Sequence, residues 1–427
     1  MALIVQKYGG TSVGGIDQIR LVADKIIHAQ QAGHKLVVVV SAMAGETDRL
    51  LDLAKSLMID PDTRALAILL STGEQKSIAL LNMALVAKGC ATRAYTGAQL
   101  PILTDSAYNR ANILGIDTHR IHADLAAGYV VVVAGFQGVD SEGTLTTLGR
   151  GGSDTTAVAL AAALEADECQ IYTDVEGIYT VDPRIVPTAT CMREIGLSPI
   201  LEMASSGAKV MQNRALEWAG RHQVPLRVLS TFHEGSGTVI LTQGKLPEHP
   251  VVSGLAFSRD EAHFLIQGIP QGSEGLAQLL LPLSEAHIEI DMMVQSLHDH
   301  QIDLSFSVHQ RDAQQTLTMI QEVVTRLGAG TIRVDSEVAK LAVVGVGVRS
   351  DLQVLATMLR VLAEASIPVL WLCASEMRLC ILIDRAFLTL GVRLLEQAFF
   401  SSVQTMENHN SHKEEEKDNV NFNEACG

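Results

Sequence analysis

The chain has 427 residues, 47% of them hydrophobic, and a net charge of −16 from 32 basic and 48 acidic side chains. That length exceeds one ordinary core and predicts two or three domains. The acidic balance argues against a nucleic-acid or anionic-membrane partner, which would need a basic patch, and no apolar run reaches the ~18–20 residues of a membrane span.

Ala2-Leu3-Ile4-Val5 enters a strand pattern at once, without the charged flank and cleavage site of a signal peptide, so a cytoplasmic protein is expected. Residues 2–8 read as an apolar strand ending at Gly9-Gly10, and residues 16–31 carry helical spacing closed by Gly33. Residues 36–41, with four consecutive valines, have the pattern of a strand buried on both faces. Residues 66–70 lead into Ser71-Thr72-Gly73-Glu74 and then a helix to about Lys88. A strand is predicted at 129–134, an Ala-rich helix at 153–166, and a strand at 169–173 followed by a loop with Pro183 and Pro187. A helix over 203–222 and a strand over 226–229 complete the series. Such alternation implies a mostly parallel α/β sheet with crossover helices on both faces.

Residues 244–250, with two prolines and a glycine, read as a linker. Beyond it, Leu283-Ser284-Glu285-Ala286-His287-Ile288 is echoed 79 residues later by Leu362-Ala363-Glu364-Ala365-Ser366-Ile367, and the same offset carries Gly268 onto Gly347. Each copy reads strand, helix, strand, strand, as two small α+β units made by duplication would. After Ser402 the chain turns polar and charged, as a solvated tail does. The six cysteines are scattered with no CxxC pair and read as core thiols.

Three segments carry chemistry. In Lys7-Tyr8-Gly9-Gly10-Thr11-Ser12 a strand ends in a lysine and two glycines before a helix. Backbone amides could approach an anion there, and the helix start adds partial positive charge. The spacing is neither a P-loop nor a dinucleotide fingerprint, so phosphate binding and an ordinary glycine turn both stay open. In Thr146-Thr147-Leu148-Gly149-Arg150-Gly151-Gly152-Ser153-Asp154 glycines again precede a helix, which Ser153 or Asp154 could cap. Arg150 among them could clamp a carboxylate with two hydrogen bonds, or merely belong to a flexible loop. The third segment, residues 172–184, follows a strand at the carboxyl edge of the sheet, where open α/β sheets bind ligands.

Together with Ser41-Ala42-Met43, Ser71-Thr72-Gly73-Glu74 and Gly135-Phe136-Gln137-Gly138, these segments resemble the aspartokinases, in order from Ala2 to about Ile240, and the latter half resembles their paired ACT domains. The resemblance implies an amino-acid-kinase α/β domain over residues 1–243, a linker at 244–250 and two ferredoxin-like ACT units. These would span 251–335 and 336–404, with room to interleave, before an acidic tail at 405–427. It implies ATP with Mg2+ as cofactor, L-aspartate as substrate, an amino-acid effector at the ACT units and a homodimer or larger homo-oligomer. Lys7, Gly9 and Gly10 resemble a phosphate-contacting element, with Ser12 beside them, and Lys209 resembles a second lysine near the phosphates. Asp154 is similar to an aspartate that orients the lysines. Arg150 and Glu74 resemble the partners of the substrate's α-carboxylate and α-ammonium, and Ser41, Thr47, Phe136 and Ser153 match residues around it. Thr173, Asp174, Tyr179, Asp182 and Arg184 match the nucleotide pocket. Taken singly, Lys209 also reads as a surface lysine, Glu74 as a first-turn acid and Phe136 as core.

The implied nucleophile is a β-carboxylate with a pKa of ~3.9, ionised at neutral pH, so no general base is required. The task is instead to offset repulsion between two anions. In the regulatory half, Gln271-Gly272-Ser273-Glu274 and Ser350-Asp351-Leu352-Gln353 stand where the family commonly carries Pro-Gly, while Gln295 matches an effector contact. Weakened feedback by lysine and threonine is the expectation, in an enzyme opening lysine, threonine and methionine biosynthesis.

Overall fold

The computed structural model describes residues 1–208, 210–242, 252–328 and 330–400; the expected linker at 244–250 and tail at 405–427 lie outside the described residues. Two compact units emerge. The first comprises Met1–Tyr179, Thr190–Ala204 and Lys209–Pro247; the second gathers Thr180–Ala189, Ser205–Ala208 and the chain from Glu248 onward.

The first unit is built on an eight-stranded sheet in the order Glu194–Gly196, Thr238–Leu241, Leu226–Ser230, Glu168–Thr173, Leu3–Tyr8, Lys35–Val40, Val130–Ala134 and Thr92–Tyr95. Every pairing is parallel except that of Leu226–Ser230 with Thr238–Leu241. The valine runs explain the centre: Val130–Ala134 is buried at all five positions, and Val37, Val38, Val39 and Val40 are wholly enclosed. Each such side chain contributes about 1.5–3 kcal/mol by leaving water. The Ile16–Gln31 helix buries Ile19, Val22, Ala23 and Ile26 along one stripe against this sheet, in a core shared with Leu81 and Leu85. A smaller sheet pairs Ile113–Ile116, Ile102–Thr104, Gln137–Val139 and Leu145–Thr147 in that order.

Two sequence expectations need correction. Ser71-Thr72-Gly73-Glu74 does not precede a helix but lies inside one, the 25-residue Thr63–Ala87, capped by Asp62. Ser71 and Thr72 return their hydroxyl protons to Ile68 O and Leu69 O, so the polar run costs the helix no backbone bond. Gly73 is tolerated because a Cβ there would stand 2.8 Å from Ala42 Cβ. The helix expected over 203–222 is two helices, Leu197–Ser205 and Asn213–His222. Gly207 breaks it, with φ +117° and its α-carbon pressed so near Phe257 O that a Cβ would lie 2.2 Å away.

The second unit holds two four-stranded antiparallel sheets. One orders Ile290–His298, Gln301–His309, Glu261–Pro270 and Ile332–Asp335; the other orders Gly254–Ser258, Val338–Val344, Arg378–Asp384 and Trp371–Ala374. The strand at Gly254–Ser258 therefore joins the sheet made by the later sequence. The 79-residue echo is visible in the backbone. Gly268 and Gly347 take φ of +75° and +81°, and His287 and Ser366, at the same offset, take +55° and +57° after their helices. Between the sheets Lys340 Nζ lies 2.7 Å from Asp291 Oδ2 and 3.2 Å from Glu261 Oε1, and Arg378 Nη2 lies 2.6 Å from Asp291 Oδ1. Among the described residues no helix is long and apolar enough to cross a membrane.

Candidate active site

Three parallel strands, Leu3–Tyr8, Lys35–Val40 and Glu168–Thr173, end side by side, and the chain leaves each through a turn. Gly9 N–H donates to Tyr172 O (3.2 Å), and Ala44 N–H donates to Gly10 O (3.1 Å), which ties the three exits together. Gly10 has to be glycine: a Cβ would meet Ala42 O at 2.9 Å. The N–H groups of Ser12 and Val13 turn back to Gly9 O, while those of Gly10 and Thr11 donate to no described residue. Unsatisfied donors in a glycine turn at a sheet edge are what an anionic ligand requires.

The same turn borders a cleft of about 420 Å3 lined by Lys7, Gly9, Gly10, Thr11, Ala44, Gly45, Asp154, Thr173, Val210, Met211 and Gln212. Lys7 Nζ stands 2.6 Å from Asp154 Oδ1, their side chains only 12% and 10% exposed, in an ion pair rather than an aligned hydrogen bond. The strand delivers Lys7 and the Gly152–Ala163 helix delivers Asp154. That helix is not capped by Ser153 or Asp154, as the sequence suggested. Its N-cap is Gly151, at φ +69°, whose carbonyl accepts from Asp154 and Thr155 N–H. Both side chains are thereby freed, and an acid in the first turn is favoured by the helix dipole.

Arg150 sits exposed between Gly149 and Gly151, both in the left-handed region, and forms no ion pair among the described residues. Glu74 is 3% exposed. Its Oε1 accepts from Ala42 N–H at 3.0 Å, but Oε2 is buried with no donor. Burial outweighs the Ala42 hydrogen bond and pushes the Glu74 carboxyl up to about 7. An orphaned buried carboxylate oxygen costs about 1–3 kcal/mol, which a cationic ligand group would recover.

Phe136 adopts φ +70°, a strained position for a bulky residue, held by donation of its N–H to Thr156 Oγ1 (3.1 Å) and acceptance from Leu148 N–H (2.8 Å). Ser153 packs its Oγ against Gly135, and Ser41 N–H donates to Tyr8 O at 3.1 Å. Thr47 lies in the first turn of the Glu46–Leu57 helix. Thr173 lines the cleft and gives its hydroxyl proton to Asp174 Oδ1 (3.0 Å), and Tyr179 OH donates to Glu176 Oε2 (3.3 Å). Ser12 does not offer its hydroxyl to the cleft; it is buried against Thr231 Oγ1 at 2.6 Å. Asp182 and Arg184 pair with each other at 2.7 Å and belong to the second unit. Lys209 lies outside the described residues. Sequence reasoning missed Thr11, Ala44, Gly45, Val210, Met211 and Gln212 as lining; only Thr11 had a local signal, its place after Gly9-Gly10. No group of three or more His, Cys, Asp or Glu among the described residues could hold a metal ion.

The model of the amino acid kinase family matches residues 2–230, and that of the ACT domain residues 341–399. The aspartate kinase of Pseudomonas putida is 50% identical over 401 residues, 93% of this chain and 98% of that protein. The aspartokinase of Pseudomonas aeruginosa is 51% identical over 402 residues, again 93% and 98%. Among solved structures, E. coli aspartokinase III in complex with aspartate and ADP superposes with a TM-score of 0.79 at 25% identity, covering 93% of this chain and 100% of that one.

Proposed function

Since the chain belongs to the amino acid kinase family and within it to the aspartokinases, we propose that it moves the γ-phosphoryl group of ATP onto the β-carboxylate of L-aspartate. The observation that carries the reading is the cleft itself: the Lys7–Asp154 pair beside two unsatisfied glycine-turn amides. Aspartokinase III, similar over its whole length, was solved with aspartate and ADP.

The chemistry follows from charge. Gly10 and Thr11 N–H groups and Lys7 hold the phosphates of ATP, and Asp154 fixes the Lys7 ammonium where equatorial charge develops in the transition state. Arg150 takes the α-carboxylate of aspartate as a two-pronged donor, and Glu74 takes the α-ammonium with its unpartnered Oε2. Ser41, Thr47, Phe136 and Ser153 enclose the substrate, and Thr173, Asp174 and Tyr179 border the nucleotide. Fixing both α-groups sets how far the side chain reaches, so glutamate, one methylene longer, is disfavoured by ~1–3 kcal/mol. The attacking carboxylate is already ionised, so Asp154 is an orienting group and not a base. Among the described residues no group of three or more His, Cys, Asp or Glu could hold a metal ion, and Mg2+ carried in with ATP would supply neutralising charge there.

Turnover of ATP, with the acyl phosphate trapped by hydroxylamine, tests the reading. Product is expected with aspartate and not with glutamate or acetylglutamate; a folded protein that binds ATP yet yields none with aspartate refutes it.

Regulation is weakened in the same reading, in an enzyme that opens lysine, threonine and methionine biosynthesis. The Leu352–Glu364 helix is already capped by Asp351, which accepts from Gln353 N–H at 2.9 Å, and the Ser273–Glu285 helix carries Glu274 exposed in its first turn. Carboxylates at both helix starts oppose an effector's own carboxylate. Titrating activity with lysine, threonine and their mixture should leave it nearly unchanged, and inhibition at micromolar concentrations would refute this part. Edge strands of the second unit also offer a homo-oligomer contact.

A further inference from the structure

Neither turn accounts for Arg214, which projects from the start of the Asn213–His222 helix into the scaffold of the Arg150 loop. Half-buried, it donates from Nη1 to Leu148 O (2.8 Å) and from Nη2 to Ala111 O (2.5 Å) and Asn112 Oδ1 (3.0 Å). Leu148 is the residue before Gly149. Its own N–H is held by Phe136 O, and the preceding Thr147 is tied to Tyr108 O (2.7 Å) and Ala111 N–H (2.9 Å). Asn112 is fixed in turn by Asp105, which accepts from its backbone N–H at 3.0 Å and its side-chain amide at 2.7 Å. Despite desolvation, those bonds and the nearby Arg214 charge keep the Asp105 carboxyl below its usual range. The guanidinium therefore closes a ring that runs from Asp105 through Asn112 to the root of the loop.

Within the loop, Gly149 O accepts from Gly152 N–H (2.9 Å) and Gly151 O from Asp154 N–H (3.0 Å), bonds that shape the turn without tying it to the neighbouring segment. Gly149 and Gly151 both sit at positive φ, where glycine is loose. The loop lies in a slot between two walls. A Cβ on Gly149 would stand 3.2 Å from Asn109 O, and one on Gly151 only 1.7 Å from Gln212 Cγ. Gln212, two residues before Arg214, also lines the cleft. One helix start thus supplies both the wall against Gly151 and the anchor at Leu148.

We propose that Arg214 is a positioning residue for the phosphoryl acceptor: it holds residues 148–151 so that Arg150 meets the α-carboxylate of the amino-acid substrate. This rests on the role given above to Arg150. Displacement of a clamp by about 1 Å costs up to roughly 10²-fold in rate, so an anchor two residues away matters to chemistry it never touches. Lysine is no substitute, because a single ammonium lacks the planar fork that reaches Leu148 O and Ala111 O together.

The test compares wild type, Arg214→Ala and Arg214→Lys in steady-state kinetics with each substrate varied, and in amide hydrogen exchange over residues 145–152. Arg214→Ala should raise the KM for aspartate about tenfold or more while the KM for ATP stays within about twofold. Exchange over 145–152 should quicken, and added methylguanidinium should partly restore the aspartate KM. Arg214→Lys should show the same pattern more weakly, and it decides the matter if the alanine variant does not fold. Unchanged aspartate KM in the folded variants, or both KM values rising together, overturns the proposal. If the wild type makes no acyl phosphate from aspartate, the functional reading falls. Faster exchange at 145–152 in the variants then still upholds the anchor, and unchanged exchange overturns it.

Discussion

Lys7 in the first unit and Lys340 in the second both rise from a sheet strand to meet carboxylates within 3 Å, yet their surroundings differ. Lys340 is enclosed between two sheets with Glu261 and Asp291, and Arg378 shares Asp291. Despite desolvation, the two carboxylates hold its ammonium above the ordinary range, and Lys340 and Arg378 hold Asp291 below. Charge there is spent on its neighbours and joins the sheets. Among the described residues Lys7 pairs with one carboxylate, and it lines a cleft bordered by unsatisfied amides. The same pair of functional groups is a staple when sealed and a site when one face stays open, because only the open pair can still gain from a further charge.

Substitution separates the two roles. Lys340→Met strands Glu261 in the interior and should destabilise the second unit by about 3–5 kcal/mol, read as an earlier melting transition in calorimetry. A variant that melts like wild type would make the cluster ornamental. Lys7→Met should weigh the other way, lowering kcat by about 10²–10³ with a smaller shift in melting than Lys340→Met. A loss confined to stability would place Lys7 with Lys340.

Glu74 sharpens the contrast at smaller scale, being sealed like Lys340 yet, with Oε2 unpaired, still able like Lys7 to gain from a further charge. Its carboxyl ionises at about 7, so below that pH it is neutral and cannot pair with the substrate ammonium. The kcat/KM for aspartate should fall about tenfold per pH unit below neutrality, and Glu74→Gln should flatten that limb. Because the folded value lies above the 4.5 of an ordinary glutamate, the ligand-free fold is favoured at low pH. It should lose up to roughly 3 kcal/mol as the pH rises through 7. Urea unfolding at pH 5 and pH 8 checks the sign, and Glu74→Gln should remove the difference.

Much of this molecule was legible locally. Valine runs imply strands covered on both faces, Gly9-Gly10 after Lys7 marks a strand exit, and a 79-residue echo marks a duplicated α+β unit. Each is a pattern over neighbouring residues that needs no partner to be read. Local reading erred where packing overruled it. The Ser71-Thr72-Gly73-Glu74 run stays helical because its hydroxyls bond within the helix and Gly73 fits against Ala42, and the 203–222 pattern breaks where Gly207 meets Phe257 O. The helix at 152–163 is capped by a left-handed glycine, although two polar side chains stood ready.

What the sequence alone determined was the order of elements, the family resemblance and the residue types at the strand exits. Tertiary structure decided which of those residues share a space. It turned Ser12 away to Thr231, set Asp182 and Arg184 in the second unit, left one oxygen of Glu74 bare, and brought Arg214 across 66 residues to Leu148 O. Contacts of that span have no periodic signature, since nothing in the spacing of two distant residues constrains the directions in which their side chains point.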